Sequence, residues 1–595
     1  MTTRAGKGAR STASPKSAAA ALAGLARIRA EFGPGWPKRK LALLDRLEGA
    51  RLDSARAITA LHDLLLFLRA YPDDARLLAQ VVRLLAAFEL RPDFKRHRAE
   101  LADSGIAGTT IDFPFFAETA WRLAERFPRH LAIDWEAVDS PERLERWLPF
   151  LAHPAEIPGL DEIAWTPREW LDRMRGGGES RPAAPSKPDL ADGAFLLRRL
   201  RAAIPDSLLF ERIVDDLGLF YRLAPSAHGA KSATPTRTRE HLVGARPVFQ
   251  TAPLRRGRPD IVRELTSGGL RPLAVEELSG RRAERTLELA RDAMVTRGRD
   301  LDAFAYGSSD DVRLVTWEDG LQFAVIGVRP ERRLLLEAVY AFLTIKNGVP
   351  AGYVLNSALF GSAEIAFNVF DTFRGVEAAR VYARVLATVH EVFRATAFTI
   401  FPYQLGDGND EALDSGAWWF YQKLGFRPRA PAVVALMKRE LERQRRDPAS
   451  RSSRATLAEL ARENLFLHLG RERRDVIGEV PLPAVGVAAT GLLARRFAAE
   501  PDRGARACAD EARSRLGLRS LAGWSDAERA AFRNWAPVVL LLRGLERWSA
   551  AERTAMAEVI RAKGGRRESD FVLRFDAHPR LPGALARLAR ANEDG

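Results

Sequence analysis

One stretch, Ser362 to Phe426, constrains the fold of this chain more than any other. The run Ala363-Glu364-Ile365-Ala366-Phe367-Asn368-Val369-Phe370 has the apolar pattern of a buried strand, and it enters the turn Asp371-Thr372-Phe373-Arg374-Gly375. Ala378, Tyr382, Val385, Leu386, Val389 and Phe393 then recur at spacings of three and four, which predicts a helix with one buried face. A second β-rich run, Phe398 to Tyr403, passes through the breakers Gly406-Asp407-Gly408-Asn409-Asp410. It reaches a short helical segment ending Ala417-Trp418-Trp419-Phe420-Tyr421-Gln422-Lys423-Leu424-Gly425-Phe426.

The rest of the chain is too long to share one core with this stretch. Its 595 residues point to several domains, and an apolar share of 46% supplies ordinary interiors for them. The single cysteine, Cys508, excludes an intramolecular disulfide and a cysteine-based metal site and fits a reducing compartment. The nine histidines include no closely spaced pair, so no metal site is expected. No apolar run is long enough to cross a bilayer and the start shows no secretory segment, so the expected location is the cytoplasm, with no membrane partner. A formal charge of +15 suits a polyanionic partner such as nucleic acid. It equally suits a solvated surface in an arginine- and alanine-rich chain of the kind that a GC-rich, bacterial-like coding sequence produces.

Taken in order, residues 1–30 predict a basic disordered tail, with Arg4, Lys7, Arg10, Lys16, Arg27 and Arg29 and no acid. A helical domain is expected over 31–175, beginning with Leu41–Ala50, Ala55–Ala70 and Ala75–Leu90, and its aromatics, among them Phe115, Trp121 and Phe127, are expected to pack between helices. A glycine- and proline-rich linker follows at 176–190, then a helical and basic connecting region at 191–311. Within it, Ser226 to Arg263 carries Lys231, Arg237, Arg239, Arg246, Arg255, Arg256, Arg258 and Arg263, a loop suited to an anionic substrate or simply an exposed connector. A helix is predicted from Glu276 to Arg297. Three β-type runs come next, Val312–Trp317, Leu321–Val328 and Ala341–Leu355, the last folded on Asn347-Gly348 with Pro350 lengthening the turn. A basic linker at 437–454 leads to a C-terminal helical domain at 455–595. There Trp524-Ser525-Asp526-Ala527-Glu528 and Trp548-Ser549-Ala550-Ala551-Glu552 both spell capping boxes.

In this order of elements the segment 312–429, within a domain expected over 312–436, resembles the GNAT (general N-acetyltransferase) superfamily. Two motifs carry the resemblance. The family's fourth strand ends in Arg/Gln-x-x-Gly-x-Gly/Ala, matched by Arg374-Gly375-Val376-Glu377-Ala378-Ala379. Its Asn-x-x-Ala-x-x-Leu-Tyr-x-Lys-Leu-Gly-Phe is matched by Asp414 through Phe426. Glu377 stands where the family has glycine, and Asp414 where it has asparagine. The resemblance implies an α+β fold, a mixed and mostly antiparallel sheet with helices, here flanked by all-α domains on both sides. It also implies acetyl-CoA or another acyl-CoA as cofactor and an amine as acceptor.

Under that resemblance the cofactor would lie on Phe367, Asn368 and Val369, on the turn Arg374, Gly375, Val376, Glu377, Ala378 and Ala379, and near Asp414. Unpaired N–H groups at a helix start are the physical basis for holding its pyrophosphate. Tyr421 would protonate the leaving thiolate, and Glu364 or Asp371 would take the amine proton. The same residues have plainer readings: Tyr421 as a core aromatic, Glu364 as a strand-edge charge, Asp371 as a turn residue. Three functions therefore stand: an acyl-CoA-dependent N-acyltransferase, a GNAT-like binding or assembly module without cofactor, and a nucleic-acid-associated basic protein.

Overall fold

The computed structural model describes residues 15–176, 190–226, 233–255, 257–375, 377–498 and 500–593. Residues 1–14 of the expected 1–30 tail, nearly all of the 176–190 linker, Lys231, Arg256 and Val376 lie outside the described residues. The chain divides into two compact units. One comprises Met1–Pro253, Glu288–Ala305 and Asn347–Pro350; the other comprises Leu254–Leu287, Tyr306–Lys346 and Ala351–Gly595.

The first unit opens with a helix, Pro15–Ile28, that buries Ala18, Ala21 and Leu25, so the second half of the expected disordered tail is ordered by apolar packing; the predicted helices follow, including Ala55–Ala70 and Ala75–Ala86. Asp74 starts the second by accepting a hydrogen bond from Leu77 N at 2.8 Å. The unit is not all-helical. Strands β1 (Ile111–Phe113), β2 (Leu131–Ile133) and β3 (Tyr221–Leu223) form an antiparallel sheet in the order β1-β3-β2. Three-residue strands between helices are too short to display the alternation by which a strand is read from sequence, which is why the all-α expectation fails here. Phe115, Leu123, Phe127, Trp170, Leu197, Phe210 and Tyr221 share one core around this sheet, so Phe115 and Phe127 are packing residues, as expected.

The basic loop after β3 is partly buried. Thr234, Thr236, Thr238 and Glu240 are all enclosed, while Arg237 pairs with Asp63 at 2.7 Å and Arg239 with Glu89 at 3.1 Å. Two of the cations expected to face an anionic substrate are thus neutralised inside the unit. Arg255, Arg258 and Arg263, farther along, are exposed.

The second unit is built on an eight-stranded, mostly antiparallel sheet. In chain order its strands are β4 (Ala274–Leu278), β5 (Gly307–Thr316), β6 (Leu321–Val328), β7 (Ala338–Lys346), β8 (Val349–Leu359), β9 (Ser362–Val369), β10 (Ala397–Ile400) and β11 (Leu465–His468). They are arranged β11-β10-β9-β8-β7-β6-β5-β4. β9 and β10 are parallel, as a crossover through the intervening helix requires. Three sequence expectations are corrected here. Glu276 lies in edge strand β4, paired with Leu314, and the helix begins only at Gly280. Asn347 and Gly348 alone join β7 to β8 with φ of 48° and 81°, the two-residue type I′ geometry, so Pro350 does not lengthen the turn. The C-terminal region supplies β11, antiparallel to β10, and so is not purely helical.

The remaining C-terminal elements are helices, and both capping boxes form: Glu528 N donates to Ser525 Oγ and Glu552 N to Ser549 Oγ, each at 3.2 Å. Helix α1 (Ala378–Phe393) puts Tyr382, Val385, Leu386, Val389 and Phe393 into the same core as Ile365 and Phe398. That burial fixes the helix start at the end of β9.

Candidate functional site

The parallel ladder between β9 and β10 ends early. Its last pair is Thr399 with Glu364, although β9 continues to Val369 and stays paired with β8 throughout. Phe370 N donates to Ala351 O at 3.0 Å, on the β8 side. Because successive residues of a strand turn their N–H groups to opposite neighbours, Asn368 faces β8, and Phe367 and Val369 face the side that β10 has left. β10 is shorter than its β-rich sequence suggests because Pro402 starts a helical turn, Pro402–Leu405.

Two short helices close the opening. α2 (Asp410–Ser415) is capped by Asn409, whose Oδ1 accepts from Ala412 N at 3.2 Å, and α3 (Ala417–Lys423) follows across Gly416, which holds φ of 65°. A cavity of about 430 Å³ lies between β9, the start of α1 and these helices. It gathers most of the residues predicted for the cofactor: Phe367, Asn368, Val369, Arg374, Gly375 and Ala378, with Tyr421 on the opposite wall. Ala379 lines a smaller adjoining cavity, and Val376 is outside the described residues.

The other predicted residues lie elsewhere. Asp414 is on the exposed side of α2, ion-paired with Arg454. Asp371 is 82% exposed and pairs with Arg374 at 2.8 Å. Glu364 sits on the face of β9 that carries Asn368, four residues earlier, and burial raises its carboxyl pKa with help from Glu337. Glu377 does not line the cavity. It caps α1 in the left-handed region, φ 49°. Burial pushes its carboxyl pKa up; Lys346 opposes this and Asp319 adds to it. A positive φ is the property for which glycine would be chosen at this position.

Arg384, on α1 beyond this cap, is bonded to Asp319 in the β5–β6 turn at 2.8 Å, and Lys346 reaches the same carboxylate at 3.0 Å. Burial alone would raise the pKa of Asp319, but the two cations hold it down at about 2. The first turns of α1 are thereby fastened to the sheet.

Sequence reading missed the far wall: Gln404, Asn409, Glu411, Ala412, Ser415, Ala417 and Phe420 also line the cavity. Glu411 matters most, because it forms an ion pair with Arg374 across the mouth. Tyr421 is almost fully enclosed, in edge contact with Tyr382 at 5.4 Å between ring centres, and burial pushes its phenol pKa up. Chemically the cavity offers backbone donors on β9, a guanidinium, free N–H groups at the start of a helix with no acid in its first turn, and a phenol that stays protonated.

Among the described residues no cluster of acid, histidine and cysteine side chains is suited to a metal, and no helix is long and apolar enough to cross a membrane. Compared with family models, with curated proteins and with solved structures, the chain gives no match.

Proposed function

We propose that the second unit is a GNAT-like acyltransferase that takes an acyl-CoA in the cleft between β9 and β10 and passes the acyl group to an amine. The observation that carries the reading is the early end of the β9–β10 ladder at Glu364 and Thr399, which leaves strand donors open inside a cavity that also holds Tyr421. The residues present suit such a donor. Phe367 and Val369 turn N–H groups toward a pantetheine arm. The first N–H groups of α1, with Arg374 released from Glu411, suit a pyrophosphate.

The chemistry asked of the chain is modest. An N–H on β9 polarises the thioester carbonyl as the C–N bond forms and the C–S bond breaks. Tyr421, kept protonated by burial, gives its proton to the thiolate sulfur. The proton of the amine goes to Glu364 through water, since four strand residues separate it from Asn368, roughly 13 Å. Its raised pKa makes it a better proton acceptor than an exposed carboxylate. Incubating the full chain with acetyl-CoA and a panel of small amines and basic peptides, and reading free thiol, tests this. Amine-dependent thiol release is the expected result; none with any acceptor counts against it.

A further inference from the structure

Beside the main cavity lies a second, of about 230 Å³, lined by Arg258, Ala379, Ser415, Trp419, Phe420 and Lys423 among others. The two share Ser415 and Phe420, and Ala379 here is the neighbour of Ala378 there. Its charge is one-sided. Arg258 and Lys423 are exposed, and among the described residues neither is held in an ion pair. Arg451 adds to the positive field at Lys423, lowering its pKa after burial and together with Arg258. Arg451 is itself fixed by donating to the carbonyls of Pro448, Ala449 and Ser450. The next residue, Ser452, accepts from Trp419 Nε1 at 3.0 Å.

Cations crowded without counter-charge repel one another, and an anion relieves the repulsion. A phosphomonoester, with nearly two charges and three acceptor oxygens, fits better than a carboxylate. Position narrows it further, because the annex opens at the helix turn where the pyrophosphate of the donor would rest.

We propose that this basic annex binds the 3′-phosphate on the ribose of coenzyme A, through Arg258 and Lys423, and so selects acyl-CoA over acyl groups carried on phosphopantetheine alone. The inference rests on the acyl-CoA reading of the adjoining cleft. Arg258 comes from a segment before the sheet, outside both motifs, and its partners are brought to it only by the fold.

The test is calorimetric titration of the full chain with coenzyme A and with dephospho-coenzyme A, which lacks only that phosphate, at low and physiological salt. The expected result is at least roughly tenfold tighter binding of coenzyme A, as two charge-assisted contacts provide. In Arg258→Gln and Lys423→Gln the preference should shrink, with dephospho-coenzyme A affinity and melting temperature unchanged. Equal binding of the two ligands by the native chain overturns the annex while leaving the cleft reading standing. Binding of neither overturns both.

Discussion

Glu364 and Thr399 form the last rung between β9 and β10, and past them β9 runs on with no neighbouring strand on that side among the described residues. Phe367 and Val369 turn their N–H groups to that side, which would be a defect in an ordinary sheet, since unpaired N–H groups away from water are costly. Here they border a cavity with a protonated phenol opposite. Replacing Phe367 by proline would delete one of these donors. Acyl transfer should fall about 100-fold or more in kcat with acyl-CoA affinity reduced less, which is the loss expected when one carbonyl donor is removed. Steady-state kinetics set beside calorimetry would separate the two effects.

The enclosed phenol gives a second prediction. Tyr421→Phe removes one hydroxyl from a wall otherwise held by ring contacts with Tyr382, Phe420 and Phe426. Folding should be unaffected and acyl-CoA affinity nearly unchanged, while turnover drops roughly 10- to 1,000-fold, in the range of acid catalysis. Unchanged turnover would return Tyr421 to a packing role.

Arg374 and Glu411 hold each other across the mouth. The acid is the obstacle to an anionic ligand, so Glu411→Gln should tighten acyl-CoA binding several-fold and Arg374→Ala should weaken it about tenfold. Both effects should shrink as salt rises, because the pair is about half exposed and therefore screened.

Glu377→Gly tests the strained helix cap. A non-glycine residue at φ 49° costs about 1 kcal/mol, so the variant should melt at a higher temperature. The gain should depend on pH. Burial raises the folded-state pKa of Glu377, so its contribution is present at low pH and is lost as pH rises through the raised value. The advantage of glycine therefore grows from acid to neutral pH. Melting curves at pH 4 and pH 7.5 would show it.

Asp576 should make the second unit sensitive to neutral pH. Burial lifts its pKa to about 7; nearby N–H groups of Gly361 and Phe360 and the charge of Arg473 pull the other way, but neither carboxyl oxygen completes a well-formed hydrogen bond. With a folded pKa above the unfolded value, its stabilising share is present below about pH 4 and disappears as pH climbs to about 7. Asp576→Asn should flatten that slope and stabilise the protein at pH 8. A native slope unchanged in the variant would assign the effect to other groups.

What could be read from the sequence is what local periodicity encodes. The helix Ala378–Phe393 follows its apolar spacing residue for residue, and Asn347-Gly348 announced a hairpin whose shortness only the backbone reveals. The candidate cavity was legible where motif and lining coincide, at Phe367, Asn368, Val369, Arg374, Gly375, Ala378 and Tyr421. It was not legible at Glu411 or Arg258, because exposed charges in loops have no periodicity and reach the site through tertiary structure alone. Asp371 and Asp414 sit within the motif stretch yet point their charges at Arg374 and Arg454; sequence adjacency to a site does not fix the direction of a side chain. Strands of three residues at Ile111 and Leu131 escaped for the opposite reason, having too little pattern to read.

The most direct measurement is the titration of acetyl-CoA into the purified full chain, followed by calorimetry with a parallel melting curve. One molecule should bind per chain with a dissociation constant in the micromolar range or below, raising the melting temperature, and Arg374→Ala should weaken it. No heat and no stabilisation at millimolar acetyl-CoA would contradict the assignment of the β9–β10 cleft.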